Sequence, residues 1–199
     1  MKSLFLIEQA AQLMLMPRSH KKNLGTSYDT IASHSFHVAI IALTIAKIEW
    51  LSDEDANRCA VTWLLHDLAE ARTWDHDFIA KNYNICDEKK AVDDQFRNLW
   101  FDNNFHNQIE EYESRESMRS KIVKDADQLA QIYHEWSLMR QGNKLAQQRY
   151  EWDLEKRVPY LFTQSAKDIV KRMETSNPNE RRRDEFVIKN YRQENLTSF

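Results

Sequence analysis

The sequence predicts an all-α protein, and three observations carry that reading. Only two glycines, Gly25 and Gly142, and three prolines occur among 199 residues, too few turn-formers for the hairpins of a multi-stranded β-fold. Apolar residues recur at helical spacing in one segment after another. One of these segments, Val38 to Ala46, is apolar on every side, the pattern of a helix at the centre of a bundle.

Taken in order, the first helix carries Leu4, Phe5, Ile7, Ala11, Met14 and Leu15 at its apolar positions, and Pro17 stops it. A polar segment from Arg18 to Ser33 follows, and Ser33 is placed to cap the second helix, whose body is the apolar run. Ser52 or Asp53 caps a third helix expected to continue through Ala71, with Ala60, Val61, Trp63, Leu64, Leu65 and Leu68 as its stripe. Further helical patterns cover about 87–103, 108–133 with a break expected near Ser117, 145–156 and 165–173. The last stretch, 176–199, is polar and reads as a tail or terminal helix appended to a domain spanning 1–175.

Composition then removes function classes. A dinucleotide fingerprint, a Walker-type phosphate loop and a nucleophile elbow each need closely spaced glycines, and Gly25 and Gly142 stand far apart. Lys plus Arg is 28 against 31 Asp plus Glu, a net charge of −3, so no polymeric nucleic-acid partner held by bulk charge is expected. Cys59 and Cys86 form no CxxC pair and no disulfide framework, which fits a reducing, cytoplasmic setting. No continuous apolar run of about 18 residues is evident, and Glu8 and Gln9 interrupt the N-terminal one, so neither a membrane span nor a signal peptide is expected.

The chemistry gathers where polar residues fall in apolar helices. His34 opens the apolar helix, and His66-Asp67 follows Leu64-Leu65 directly. A carboxylate in a bundle core is costly unless it is paired, and a bound cation is one such partner. Side chains at His66 and Asp67 diverge by about 100° yet can still converge on an ion between them. Glu70 lies four residues after His66 and three after Asp67, on the same face, positioned to handle a proton. Alone, a His-Asp pair is as readily a core hydrogen bond. On the later helix, periodicity leaves Asp125 and Asp127 equivalent, each about 100° from the centre of the stripe formed by Ile122, Val123, Ala126, Leu129, Ala130 and Tyr133.

The segments His34-Ser35-Phe36-His37-Val38-Ala39, Leu64-Leu65-His66-Asp67-Leu68-Ala69-Glu70 and Ile122-Val123-Lys124-Asp125-Ala126-Asp127-Gln128-Leu129 resemble, in order and context, the HD-domain metal-dependent phosphohydrolases. They are most similar to the YfbR-like 5′-deoxynucleotidase branch. The resemblance implies an HD-type helical bundle with a metal site between helices, in which His34, His66, Asp67 and Asp127 hold one divalent transition metal. Two imidazoles and two carboxylates suit Co, Mn, Zn or Fe(II). The Ala-Asp-x-Leu context of that family favours Asp127, leaving Asp125 as an outer or surface carboxylate.

The implied reaction is attack of a metal-activated water on phosphorus, with Glu70, and Asp75 beside it, as the proton-handling catalytic residues. With no glycine loop to cradle phosphate, Arg18 and Lys81 match the family's phosphate-binding cations, and Trp74 beside Asp75 is a candidate pocket wall. The family commonly carries a Trp just after that Arg; here the chain reads Ser19-His20-Lys21-Lys22, so Lys21 or Lys22 are candidates for a longer phosphate chain. Ser33 stands where the family usually has an acidic residue. His37, His76 and His106 are expected outside the metal site, and His134 is expected to be a packing residue. The implied substrate is a deoxyribonucleoside 5′-monophosphate, with a deoxynucleoside triphosphate triphosphohydrolase or a non-catalytic nucleotide-binding bundle as alternatives. A homodimer is implied by the resemblance alone.

Overall fold

The computed structural model describes residues 2–25, 29–97, 99 and 102–176 of the chain. The polar stretch expected as a tail therefore lies, from residue 177 on, outside the described residues. The described chain is helical throughout: α1 (Lys2–Gln12), α2 (Lys21–Leu24), α3 (Ile31–Ile48), α4 (Asp53–His66), α5 (Glu70–Thr73), α6 (Glu88–Phe96), α7 (Asp102–Ser114), α8 (Met118–Arg140), α9 (Lys144–Lys156) and α10 (Gln164–Thr175). Short 3-10 turns at Asp67–Ala69, Ala80–Asn82 and Val158–Tyr160 complete it. Extended pairing among the described residues is limited to a bridge between Pro17 and Thr30, which clips the two ends of the segment carrying Arg18.

Helix α3 is the hub and packs against α4 and α8. It begins one turn earlier than the sequence suggests. Thr30 is the cap: its side chain accepts the Ser33 N–H at 3.1 Å, and the Ser33 hydroxyl accepts the Thr30 N–H at 2.8 Å, a reciprocal capping box. By length and a mean hydropathy of 1.5 over its 18 residues α3 would be apolar enough to cross a membrane, although no span was expected from the sequence. Its packing is that of a core helix, with Val38, Ala42, Ile45 and Ala46 fully buried. It is not buried on every side as expected, since Phe36, Ile40 and Ile48 face outward.

Two further expectations are corrected. The first helix ends at Gln12, and Leu4, Phe5, Ile7, Met14 and Leu15 are exposed, while Leu13 and Met16 enter the core. The third predicted helix does not run unbroken to Ala71: α4 stops at His66, the chain tightens into the 3-10 turn at Asp67–Ala69, and α5 resumes at Glu70. Ser52 does cap α4, accepting the Asp55 N–H at 3.1 Å. The break near Ser117 is also present, with Ser117 capping α8 through the Ser120 N–H at 3.0 Å.

Burial organises two apolar clusters. The larger joins Val38, Ala42, Ile45, Cys59 and Trp63 to Ile122, Val123, Ala126 and Leu129, sealing α3, α4 and α8. The smaller, around Leu13, Met16, Ile31, Leu68, Val92 and Phe96, anchors the N-terminal segment to the turn that follows His66. Polar groups of α3, α4, α8 and the Arg18 segment face one cavity between these clusters.

Candidate active site

The cavity encloses about 460 Å³ and is lined by His34 from α3, Trp63 and His66 from α4, Asp67 and Glu70 from the turn beyond it, Tyr112 and Glu113 from α7, and Lys124 and Asp127 from α8. Arg18, His20, Asp75 and Lys81 are also part of the wall. The structure thus brings His34, His66, Asp67, Asp127, Glu70, Asp75, Arg18 and Lys81 to one cavity. Trp74 is a correction. Helix α5 ends at Thr73, Trp74 takes a left-handed φ of 67°, and its side chain turns to solvent, 64% exposed and outside the cavity lining. Lys21 and Lys22 also stay outside the lining, and the Lys22 ammonium binds Asp77 at 3.1 Å.

Two His–Asp pairs form the floor. His66 Nδ1 lies 3.0 Å from Asp67 Oδ1, and His34 Nε2 lies 3.4 Å from Asp127 Oδ1. His66 also reaches Glu113 Oε1 through Nε2 at 3.0 Å, and it stacks on Trp63 with ring centroids 4.9 Å apart. Trp63, expected to be core, is at once core and the wall behind both histidines, since it meets His34 edge-on. Burial works against a charged imidazole at His66, but the hydrogen bonds to Asp67 and Glu113 win and push it up to about 9. Burial likewise opposes the carboxylates of Asp67 and Asp127. His66 holds Asp67 below the usual range, and His34 and Lys124, whose Nζ is 2.8 Å away, do the same for Asp127.

The donors fit a divalent cation. His34 Nε2 is buried without a hydrogen-bond partner although a carboxylate oxygen stands 3.4 Å away, as expected of lone pairs aimed at a shared point rather than at each other. His66 Nδ1 and Asp67 Oδ1, 3.0 Å apart, set a nitrogen and an oxygen donor side by side, the pairing that a divalent ion would need there. Asp67 Oδ2 is fixed by the Ser35 hydroxyl at 3.3 Å, so the carboxylate is held in place from α3.

Arg18 and the acids beside it make the second half of the site. Its Nη1 lies 3.4 Å from Asp75, 3.9 Å from Glu70 and 4.0 Å from Asp67. Asp75 is anchored by the Ser19 N–H at 2.8 Å, which ties the Arg18 segment to the turn after α5. Glu70 Oε2 is buried without a hydrogen-bond partner, and burial, then repulsion from Asp67 and Asp75, pushes its carboxyl up to about 9 despite Arg18. A cation nearby would draw it back down.

Other histidines divide. His37 packs edge-on against Tyr133 and His106 faces Asp93 at 2.9 Å, both away from the quartet, while His76 lines the cavity without joining it. Tyr112 and Glu113 went unnoticed in the sequence. They approach His66 from a helix nearly fifty positions on, and no spacing rule connects them.

A family model for the HD domain matches residues 10–170. The chain belongs to the HD domain family. That assignment agrees with the order His34, His66-Asp67, Asp127 and with the geometry that gathers them. Solved structures share the fold. A crystal structure from structural genomics is 31% identical with a TM-score of 0.72, covering 89% of this chain and 96% of that one. A Pyrococcus horikoshii OT3 protein is 25% identical with a TM-score of 0.69, covering 85% and 97%. An Archaeoglobus fulgidus protein is 26% identical with a TM-score of 0.59, covering 89% and 97%. Among curated proteins, the 5′-deoxynucleotidase HDDC2 of Danio rerio is 31% identical over 118 residues, 52% of this chain and 52% of that protein. The match thus spans about half the length of the curated relative.

Proposed function

We propose that this HD domain is a metal-dependent phosphohydrolase acting on nucleotides, with a deoxyribonucleoside 5′-monophosphate as the substrate and nucleoside plus orthophosphate as products. The observation that carries this reading is the meeting, in one cavity, of two His–Asp pairs, a half-buried acid and a half-buried guanidinium. The named activity of the zebrafish relative supports the substrate class.

His34, His66, Asp67 and Asp127 would hold one divalent transition metal, of a kind that the donor set leaves open among Co, Mn, Zn and Fe(II). Such an ion, when bound, polarises a water for attack on phosphorus and offsets phosphate charge. Arg18 binds the phosphate: its fork already sits among three carboxylates and can exchange them for phosphate oxygens. Asp75 orients the Arg18 segment through Ser19 N–H, and Glu70 holds or delivers the proton at its carboxylate. Lys81, on the rim and 3.7 Å from Glu88, supplies a further positive charge at the entrance.

A second reading has its own observation. Arg115, Lys124, Arg149 and Arg157 line the same cavity beyond the quartet, a run of cations suited to a triphosphate chain. Product analysis with added Mn or Co separates the two. Orthophosphate released from a deoxynucleoside monophosphate supports the first, intact tripolyphosphate released from a triphosphate supports the second, and no turnover across a nucleotide panel overturns both in favour of a binding bundle.

A further inference from the structure

A second set of metal-ligating side chains converges outside the quartet. His20 sits just before α2, Asp29 just before the cap of α3, and His134 on α8; one ligand atom from each lies within 4.8 Å of the others. His20 is only 7% exposed, and its Nε2 stands 3.4 Å from Asp29 Oδ2 yet makes no hydrogen bond. A well-made His–Asp hydrogen bond would be aligned. This close but misaligned approach repeats that of His34 Nε2 on Asp127 Oδ1, the pair assigned above to the metal quartet. Two ligand atoms about 2.1 Å from a tetrahedral ion stand about 3.4 Å apart, so the His20–Asp29 spacing is already that of a ligand edge. The other Asp29 oxygen accepts the Ser33 hydroxyl at 2.7 Å, which fixes the carboxylate with Oδ2 on the His20 side. The His134 ring faces His20 with centroids 5.0 Å apart and tilted by 42°.

We propose that His20, Asp29 and His134 form a second divalent-metal site, zinc-like in its two imidazoles and one carboxylate with a fourth position for water, distinct from the His34, His66, Asp67, Asp127 set. Its role is structural. The ion would tie His20 and Asp29 to each other and to α8, fixing the approach of Arg18, two residues before His20, to the cavity. Asp29 already holds the Arg18 N–H through its backbone carbonyl at 3.2 Å, so Arg18 and Asp29 are joined independently of the ion.

The test uses the full chain, stripped with chelator, reloaded with zinc and desalted. Wild type is expected to retain one more zinc equivalent than His134→Gln. Asp67→Ala, with the quartet impaired, should still bind zinc and gain melting temperature from it, a gain lost in Asp67→Ala/His134→Gln. Cobalt in Asp67→Ala should give the intense visible absorption of a four-coordinate site. Should His134→Gln fail to fold by circular dichroism, His20→Gln takes its place. Equal zinc content in wild type and the folded histidine variant, or no stabilisation of Asp67→Ala by zinc, overturns the proposal. Neither readout depends on turnover, so a failed nucleotide screen leaves it standing.

Discussion

Asp67 is 3% exposed and held by His66 and Ser35, whereas Glu70, one turn on, keeps Oε2 buried with no hydrogen bond. The two carboxylates therefore sit in different environments: the first is oriented and held ionised, the state its proposed ligand role needs, and the second is raised by burial and by its acidic neighbours. Asp67→Ala is expected to lower metal affinity by at least about 10-fold, since even outer partners of metal ligands are worth that much, and to abolish turnover with it. Glu70→Gln is expected to keep the metal and lower kcat by about 10²–10⁴, the usual weight of a positioned acid or base. Metal analysis and kinetics on the same preparations decide; an empty Glu70→Gln protein would make Glu70 a ligand.

At the scale of elements, α8 presents both acids that periodicity could not rank. Asp125 and Asp127 are two residues apart and point to opposite sides of the helix. Asp125 is fully buried and accepts the N–H groups of Phe162 and Thr163 at 2.8 and 2.7 Å and the Thr163 hydroxyl at 2.7 Å, tying α8 to the cap of α10. It is a structural tie, not the outer or surface carboxylate that the family context suggested. Because its loss leaves buried donors unpaired, Asp125→Ala is expected to cost on the order of 2 kcal/mol or more while the folded fraction still binds metal. Asp127→Ala is expected to lose metal without comparable loss of stability in the metal-free protein. Denaturation with urea alongside metal analysis checks the pair, and the reverse pattern would exchange the two roles. The same helix shows what was legible in the sequence. Helices α3, α4 and α8 announced themselves through apolar spacing, and α4 also through its Ser52 cap, whereas the cap of α3 is Thr30 and not Ser33; residue order picked out the four quartet positions. The 3-10 break at Asp67, the outward apolar face of α1 and the meeting of His20, Asp29 and His134 depend on packing between distant segments, which no local period encodes.

Across the whole molecule, the far wall of the cavity rests on a buried acid pair. Glu135 on α8 and Asp153 on α9 are both 0% exposed, countered by Arg149, 3.0 Å from Glu135, and Arg157, 2.9 Å from Asp153. Burial and the Glu135 charge push the Asp153 carboxyl up to about 7, against the pull of Arg157 and Arg149. An unfolded Asp titrates near 3.9. Between roughly pH 4 and 7 the native state therefore binds more protons at this position than the unfolded chain does, and its stability declines as pH rises through that window and levels above it. Asp153→Asn keeps the shape and removes the titration, so the difference in unfolding free energy between wild type and variant should change by on the order of 1 kcal/mol per pH unit from pH 5 to 7. Urea denaturation of both metal-free proteins at pH 5, 6, 7 and 8 reads the titration of Asp153 together with its coupling to Glu135, because the titrating groups away from this pair are common to the two. Parallel profiles would mean that Arg149 and Arg157 keep the pair fully ionised, and the junction of α8 with α9 would then be a four-charge network indifferent to pH in this range.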